Sequence, residues 1–438
     1  MSKLITPRRL QGFNELDPMR QLQFDQMISK IKDVFEHHCF VPLDSPVLEL
    51  SEILLAKSGG DIDKEIYRFS KGSTDMCMRY DFTVPLARYV AMNQNTLDFP
   101  FKRYQIGKNY RGERPQKGRY REFYQCDADV IGSETLPLVY DAECIALYPE
   151  CFKKLGFDIV VEISDRNILN GIIEDVGQED KTNEILTLLD KIDKIGGEAV
   201  VRELTAIGIP VEDSEKLLCV ADNRGNIVEV AEKLEKLSNN EKVLLGIANL
   251  KAIDGYLKAF GISEDNYAYN LSIIRGHNYY TGTVFEAFLK DNRKLGALGA
   301  GGRYENLAQY YSEKKLPGVG MSIGLSRLFD LLSNNGLIPE PKKSIVDVSI
   351  IPLGETVNEC IALSTLLRKG GLKADVACEA RSFKSKMKDA NKREIPYIIV
   401  VGEDEVASKK YALKNMETGE QKTLSAEEIL TEIKKTEE

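Results

Sequence analysis

The pattern of apolar and polar positions divides the chain into stretches of different rhythm. Between Met19 and Cys39, apolar residues including Leu22, Met27, Ile28, Ile31 and Phe35 recur at helical spacing, which predicts an amphipathic helix. Asp17-Pro18 just ahead of it supplies a capping carboxylate and a proline at the first helical position. Residues 41–50 (VPLDSPVLEL) read as extended, and Pro46 inside them suits an edge strand or an interface. Residues 64–69 and 77–80 read as short strands and 84–93 as a helix. Two longer strands follow at 102–110 and 120–131, then a helix at 142–155 and a strand at 160–163. In the second long strand Tyr124, Cys126, Ala128 and Val130 share one parity, and Arg121, Phe123, Gln125, Asp127 and Asp129 share the other. Side chains alternate faces along a strand, so one face is apolar and the other sets charges beside an aromatic ring.

The rhythm changes near Asn170. Until about Phe260 the chain is helical, charged and poor in aromatics, which predicts an inserted helical domain. Strand patterns return at Tyr267 and at 284–289; Gly299 to Tyr304 reads as a glycine turn, and 322–332 as a helix. Beyond a linker with Pro339, Pro341 and Lys342 the order becomes β-α-β-α-β: VDVSIIPL, a helix at 356–368, ADVAC, a helix at 382–391, then YIIVVG. That alternation predicts a compact α/β domain.

A length of 438 residues allows several domains with real cores. The net charge of −9 excludes bulk attraction to nucleic acid, so any such binding uses local basic patches. The eight cysteines form no CxxC and stand at no zinc spacing to the three histidines, which predicts free thiols in a reducing cytoplasm. No apolar run reaches membrane-spanning length, and the first residues are too polar for a secretory signal. The loop 112–119 between the two long strands is longer than a hairpin turn and rich in Arg and Lys. Cations above a polar strand face suit phosphate, and the carboxylates on that face suit an ammonium or imidazole.

With these residues in place the chain resembles the histidyl-tRNA synthetases, a class II aminoacyl-tRNA synthetase family, over nearly its whole length. Pro46 in VPLDSPVLEL resembles the first class motif, YRGERPQKGRYREFYQ the second, and GVGMSIGLSRLF the third. RGHNYYTGTVFE (275–286) and GAGGRYENL (299–307) resemble the two histidine motifs, and MRYDFTVPLARYVA (78–91) the eukaryote-like branch of the family. The chain departs at one place: the family usually has Leu-Asp where His277-Asn278 stand.

The resemblance implies an α+β fold: a class II catalytic domain on an antiparallel sheet, in two parts (1–169 and 261–335), interrupted by a helical insertion (170–260) and followed by an α/β anticodon-binding domain (344–438). It implies ATP-dependent ligation of histidine to its tRNA by a cytoplasmic homodimer, with Mg²⁺ bridging the ATP phosphates mostly through water. Arg111 and Arg275 are implied at the α-phosphate and substrate carboxylate, as the catalytic pair. Arg119 and Arg327 are implied at the outer phosphates, and Glu113 and Phe123 at the adenine. Asp81, Thr83 and Gln125 are implied at the histidine ammonium, and Asp129 and Tyr280, with Tyr279 beside them, at the imidazole. The rival expectation is a non-catalytic, histidine-sensing regulatory subunit of histidine biosynthesis. Such paralogues typically lack the C-terminal domain and lose matching arginines, whereas this chain carries Arg111, Arg275, Arg327 and residues 344–438.

Overall fold

The computed structural model describes residues 4–56, 62–116, 118–274 and 280–435. Arg275, His277, Asn278 and Tyr279 lie outside the described residues. The chain folds as two compact units: Phe24–Ile338 with the residues up to Glu15, and Pro339 onward with Leu16–Gln23.

Among the described residues, the first unit is built on a sheet of nine strands. Their order is 41–42, 101–110, 122–131, 318–323, 299–304, 283–289, 159–165, 267–270, 224–225. The run from 101–110 across to 159–165 is antiparallel throughout. Parallel pairing appears only toward the edges, at 41–42 with 101–110 and at 159–165 with 267–270. The alternation read along 122–131 is real: Cys126, Ala128 and Val130 are fully buried on one face, which the helix Val139–Leu155 helps to cover. The opposite face is also closed at its far end, where Asp127 and Asp129 are buried. Both faces of that strand segment are therefore largely withdrawn from bulk water, and its charges need partners.

The stretch from Arg166 to Ala259 is helical, as expected, with a two-residue strand, Arg224–Gly225, at the sheet edge. Its long last helix, Glu241–Ala259, packs on Arg166–Asp175 and on Val139–Leu155. Four local expectations are corrected. Residues 41–50 divide: Val41–Pro42 join the main sheet, and Leu48–Leu50 join a small sheet with 74–78 and 68–71. Residues 64–69 open on the helix Ile62–Glu65, and the strand is Arg68–Lys71. Gly299–Tyr304 is a central strand, not a turn. Glycine is there because its neighbours leave no room for a side chain: a Cβ at Gly301 would collide with the Phe285 ring and the Gly320 carbonyl. The helix read from 322 begins at Leu325, because the strand Gly318–Ile323 runs on through Ser322.

The second unit has a five-stranded sheet in the order 374–376, 348–352, 397–401, 411–415, 421–424. The first three strands are parallel and the last two antiparallel. Ile350, Ile399, Leu363, Leu367 and Ile429 form its main core, and Ile351, Ile398, Ala390 and Ile395 a second cluster. Among the described residues no helix is long and apolar enough to cross a membrane, and all eight cysteines are free, five of them buried.

Candidate active site

The register of three neighbouring strands decides which side chains meet. Gln105 lies opposite Asp127 and Arg103 opposite Asp129 on one side; Ser322 lies opposite Asp127 and Gly320 opposite Asp129 on the other. Cross-strand partners share a face, so this pairing gathers a polar cluster on the floor of a cavity of about 640 Å³, a size suited to a small-molecule site. Asp81, Thr83, Arg111, Gln125, Asp129, Tyr280 and Arg327 all line it. Arg119 lines an adjoining cavity of about 350 Å³, which shares Arg327, Asp190 and Glu286 with the first. Glu113 and Phe123 line neither cavity but touch residues that do: Glu113 is in an ion pair with Arg119 at 3.4 Å, and the Phe123 ring lies against Arg111.

Asp129 is the most constrained of these groups. Its Oδ2 meets Arg103 at 2.8 Å and its Oδ1 accepts from the Tyr304 hydroxyl at 2.8 Å. Burial pushes its pKa up, while Arg103 and Tyr304 oppose that rise. There is no space for a side chain behind it, since a Cβ at Gly320 would land on the carboxylate. Asp127 is pushed up to about 7, first by burial and then by the Asp129 charge, against the pull of Arg103 and Ser322. Asp81, just ahead of the helix Thr83–Asn93, accepts from Val84 N in its first turn at 3.0 Å, while also lining the cavity. The same carboxylate thus serves the start of the helix and faces the cavity.

Arg111 lies close to two rings. Its guanidinium carbon lies 4.4 Å from the Tyr80 ring centroid and 5.0 Å from that of Phe123, and Nε donates to the Tyr80 carbonyl at 3.4 Å. Stacking of this kind restrains a long side chain without using up its outward-facing donors.

Several lining residues had no role assigned from sequence. Arg166 Nη1 donates to the Tyr280 carbonyl at 2.6 Å and Nη2 to the Ile274 carbonyl at 3.4 Å, tying down the chain on both sides of 275–279. The topology explains its position. Strands 267–270 and 283–289 flank 159–165 on opposite sides, which brings Ile274, Tyr280 and Gly282 to the end of 159–165, where Arg166 begins the next helix. Asn183, Leu186, Thr187 and Asp190, at helical spacing along and just beyond Thr182–Leu189, bring the helical stretch to the cavity. Tyr304 lay within the GAGGRY motif, and Asp127 sat at the same parity as Gln125 and Asp129; that parity was the available signal. Among the described residues, no group of three or more His, Cys, Asp or Glu is arranged to hold a metal ion.

The site thus sets fixed acceptors, Asp81, Gln125 and Asp129, in one cavity with the guanidinium groups of Arg111 and Arg327. The chemistry of this lining suits a ligand with a cationic end and an anionic end. Residues 12–328 match the family described as Histidyl-tRNA synthetase, and residues 347–436 match the Anticodon binding domain. The chain belongs to the histidyl-tRNA synthetase family. It is 43% identical to the histidine–tRNA ligase of Clostridium tetani, over 98% of this chain and 99% of that one. It is 44% identical to that of Clostridium acetobutylicum, over 98% and 100%. The crystal structure of histidyl-tRNA synthetase from a Nostoc species superimposes with a TM-score of 0.90, at 32% identity, covering 99% of this chain and 100% of that one. The chain carries both the synthetase region and an anticodon-binding domain.

Proposed function

We propose that this chain is an ATP-dependent histidine–tRNA ligase. One observation carries the reading: a cavity in which Asp81, Gln125 and Asp129 share the walls with Arg111 and Arg327, in a chain that has an anticodon-binding domain. A histidine carboxylate oxygen attacks the α-phosphorus of ATP, the bond to the β-phosphate oxygen breaks, and pyrophosphate leaves. The terminal ribose hydroxyl of histidine tRNA then attacks the histidyl carbonyl, and AMP leaves. Neither step asks for covalent help from the protein. The chain aligns the two anions and stabilises charge gathering on the phosphate oxygens.

In this reading Arg111, with Arg275, holds the α-phosphate and the substrate carboxylate. Arg327 and Arg119 hold the outer phosphates from the two adjoining cavities. Glu113 and Phe123 serve the adenine. Asp81, Thr83 and Gln125 take the ammonium. Asp129 accepts from one imidazole nitrogen, because Arg103 and Tyr304 have already turned its carboxylate and hold it; Tyr280, with Tyr279, serves the other. A ligand lacking the imidazole leaves these buried groups unpaired, which is where discrimination arises.

Mg²⁺ fits this site as a phosphate-borne, largely hydrated ion, for which Glu286, buried and lining both cavities, would be a carboxylate partner. When bound it neutralises phosphate charge. We assign the catalytic role to 1–169 with 261–335, acceptor-stem contact to 170–260, and anticodon reading to 344–438. The basic helix Phe383–Lys392 supports the last, with Lys384, Lys388 and Lys392 exposed. A homodimer is supported by exposed Val47, Leu48, Leu50 and Met92 around Pro46, and a reducing, cytoplasmic setting by the free cysteines.

Histidine-dependent ATP–pyrophosphate exchange tests the reading without tRNA. Exchange with histidine and not with other amino acids is expected, followed by charging of histidine tRNA. Histidine binding without exchange would return the reading to a regulatory subunit.

A further inference from the structure

A carboxamide carries an acceptor at one end and donors at the other, so a glutamine that meets an ammonium must be held the right way round. Gln125, given that task above, does not stand alone. It is the middle of a hydrogen-bonded chain that crosses three strands. Asn109 Nδ2 donates to Gln125 Oε1 at 2.6 Å, Gln125 Nε2 donates to Ser322 Oγ at 2.8 Å, and the Ser322 hydroxyl donates to Asp127 Oδ1 at 2.5 Å. Asn109 is 0% and Asp127 4% exposed, so bulk water does not substitute for these partners.

Three members of the chain are ambivalent: each amide can turn over, and a hydroxyl both gives and accepts. The carboxylate is not. An ionised Asp127 only accepts, so the Ser322 hydrogen goes to it, the Ser322 lone pairs face the Gln125 amide nitrogen, and Gln125 Oε1 is turned toward Asn109. Running the chain backwards needs a proton on Asp127. Asp127 then donates to Ser322, Ser322 to Gln125, and the Gln125 nitrogen to Asn109 Oδ1, an atom that is otherwise buried without a partner.

We propose that Asp127 is a positioning residue for amino-acid recognition: through Ser322 its carboxylate sets the direction of the chain, and so which end of the Gln125 amide meets the substrate ammonium. This rests on the assignment of Gln125 to that ammonium. The Ser322 main chain is pinned independently, since the Tyr148 hydroxyl donates to its carbonyl at 3.0 Å and accepts from its N–H at 3.2 Å. Only the hydroxyl hydrogen is left to choose.

The groups that act on Asp127 come from every side. Asp129 on its own strand and Asp81 before the neighbouring helix favour its protonation, as does burial; Arg103 on strand 101–110 and Ser322 on strand 318–323 favour its ionisation. Tyr148 reaches it from the helix Val139–Leu155. The balance falls at about 7, so, with the observed direction of the chain as the one that binds, ammonium recognition weakens as the pH drops through neutrality.

The test is the KM for histidine and for ATP in pyrophosphate exchange, measured from acid to mildly alkaline pH, with thermal melts. It compares the unaltered protein with Asp127→Asn, Ser322→Ala and Gln125→Ala. Asp127→Asn and Ser322→Ala are expected to raise the histidine KM about tenfold, the scale of one misdirected hydrogen bond to a charged group. They leave the ATP KM unchanged, and they lose the extra rise in histidine KM that the unaltered protein shows below neutral pH. The titration of histidine itself is common to all four proteins and cancels. A histidine KM and pH profile in Asp127→Asn that superimpose on the unaltered protein overturn the proposal. So do parallel rises in both KM values with a lowered melting temperature. If Asp127→Asn does not fold, Ser322→Ala decides alone by the same two criteria. Gln125→Ala separates the two layers of argument. If it too leaves the histidine KM unchanged, the ammonium assignment has failed and the proposal falls with it; if it raises that KM while Asp127→Asn does not, only the relay has failed.

Discussion

At the scale of single residues, the site works by holding its charged groups in one orientation before any ligand arrives. Asp129 has both carboxylate oxygens engaged, by Arg103 and by Tyr304, and Arg111 is fixed by two rings. Tyr304→Phe removes one of the two donors to Asp129 at almost no change in volume. A hydrogen bond to a charged, buried group is worth about 1.5–3 kcal/mol, so histidine KM should rise roughly tenfold or more in pyrophosphate exchange, with ATP KM unmoved. Equal KM values in the variant would mean that Arg103 alone orients the carboxylate. His38 shows the same economy away from the site. It lies between Glu143, at 3.4 Å, and Glu150, at 3.0 Å, and Glu143 also meets Lys102 at 2.6 Å. The hydrogen bond to Glu143, then that to Glu150, raises its pKa from 6.5 to about 9. A raised folded-state value means that the stabilisation is fully present below pH 6.5 and is lost as pH rises through 9. After screening it is on the order of 1–2 kcal/mol. The melting temperature of His38→Gln should therefore fall furthest below that of the unaltered protein in mild acid and converge with it in alkali; a gap that widens with pH would count against the clamp.

At the scale of elements, the connection between strands 267–270 and 283–289 depends on a residue outside it. Arg166 joins the carbonyls of Ile274 and Tyr280 from the root of the neighbouring helix, and its backbone N–H donates to the Gly282 carbonyl at 3.0 Å. Arg166→Met keeps the stem and loses the fork. Two charge-assisted bonds are removed, so histidine KM should rise and kcat fall together by about one to two orders of magnitude, with far less change in the melting temperature. Wild-type kinetics in this variant would show that the connection is positioned without it. Sequence reading did not single out Arg166, because nothing local marks an arginine that acts on a segment more than a hundred residues away. The strand 122–131 was legible for the opposite reason: its alternation is local and its apolar parity is uninterrupted. The glycine-rich strand 299–304 was misread as a turn because glycine is depleted in strands, and the reason for it here lies in the rings of Phe285 and Tyr148, which are remote in sequence. Ser322 was assigned to a helix for a similar reason: the strand and the helix after it share an apolar run, and only the pairing with 122–131 shows where the strand stops.

At the scale of the whole molecule, the motifs identified the family and the helical rhythm of 170–260, while the detail of the cavity came from register. Seven predicted residues line that cavity, Arg119 lines its neighbour, and Glu113 and Phe123 line neither but touch Arg119 and Arg111. Asp127, marked by its parity with Gln125 and Asp129, completes the walls with Ser322, Tyr304 and the Thr182–Leu189 helix, and no spacing rule joins the last three to it. The apolar surface around Pro46 makes a prediction at this scale. Leu50 is 45% and Met92 72% exposed; if they meet a second copy, placing a charge at each buries unpaired charge in the interface. Leu50→Glu with Met92→Glu should shift sedimentation from dimer to monomer. A dimer that persists in the double variant would place the interface elsewhere.

The crowding around Gly299, Gly301, Gly302 and Gly320 has a consequence for how this sequence can drift. Every amino acid reachable from glycine by one nucleotide change carries a Cβ, and at these positions a Cβ meets a ring, a carbonyl or the Asp129 carboxylate. The conservative neighbours that most residues possess are absent here. These four positions are therefore held by the packing of the sheet rather than by the chemistry, and a copy that lost ligation while keeping the fold would be expected to keep its glycines there.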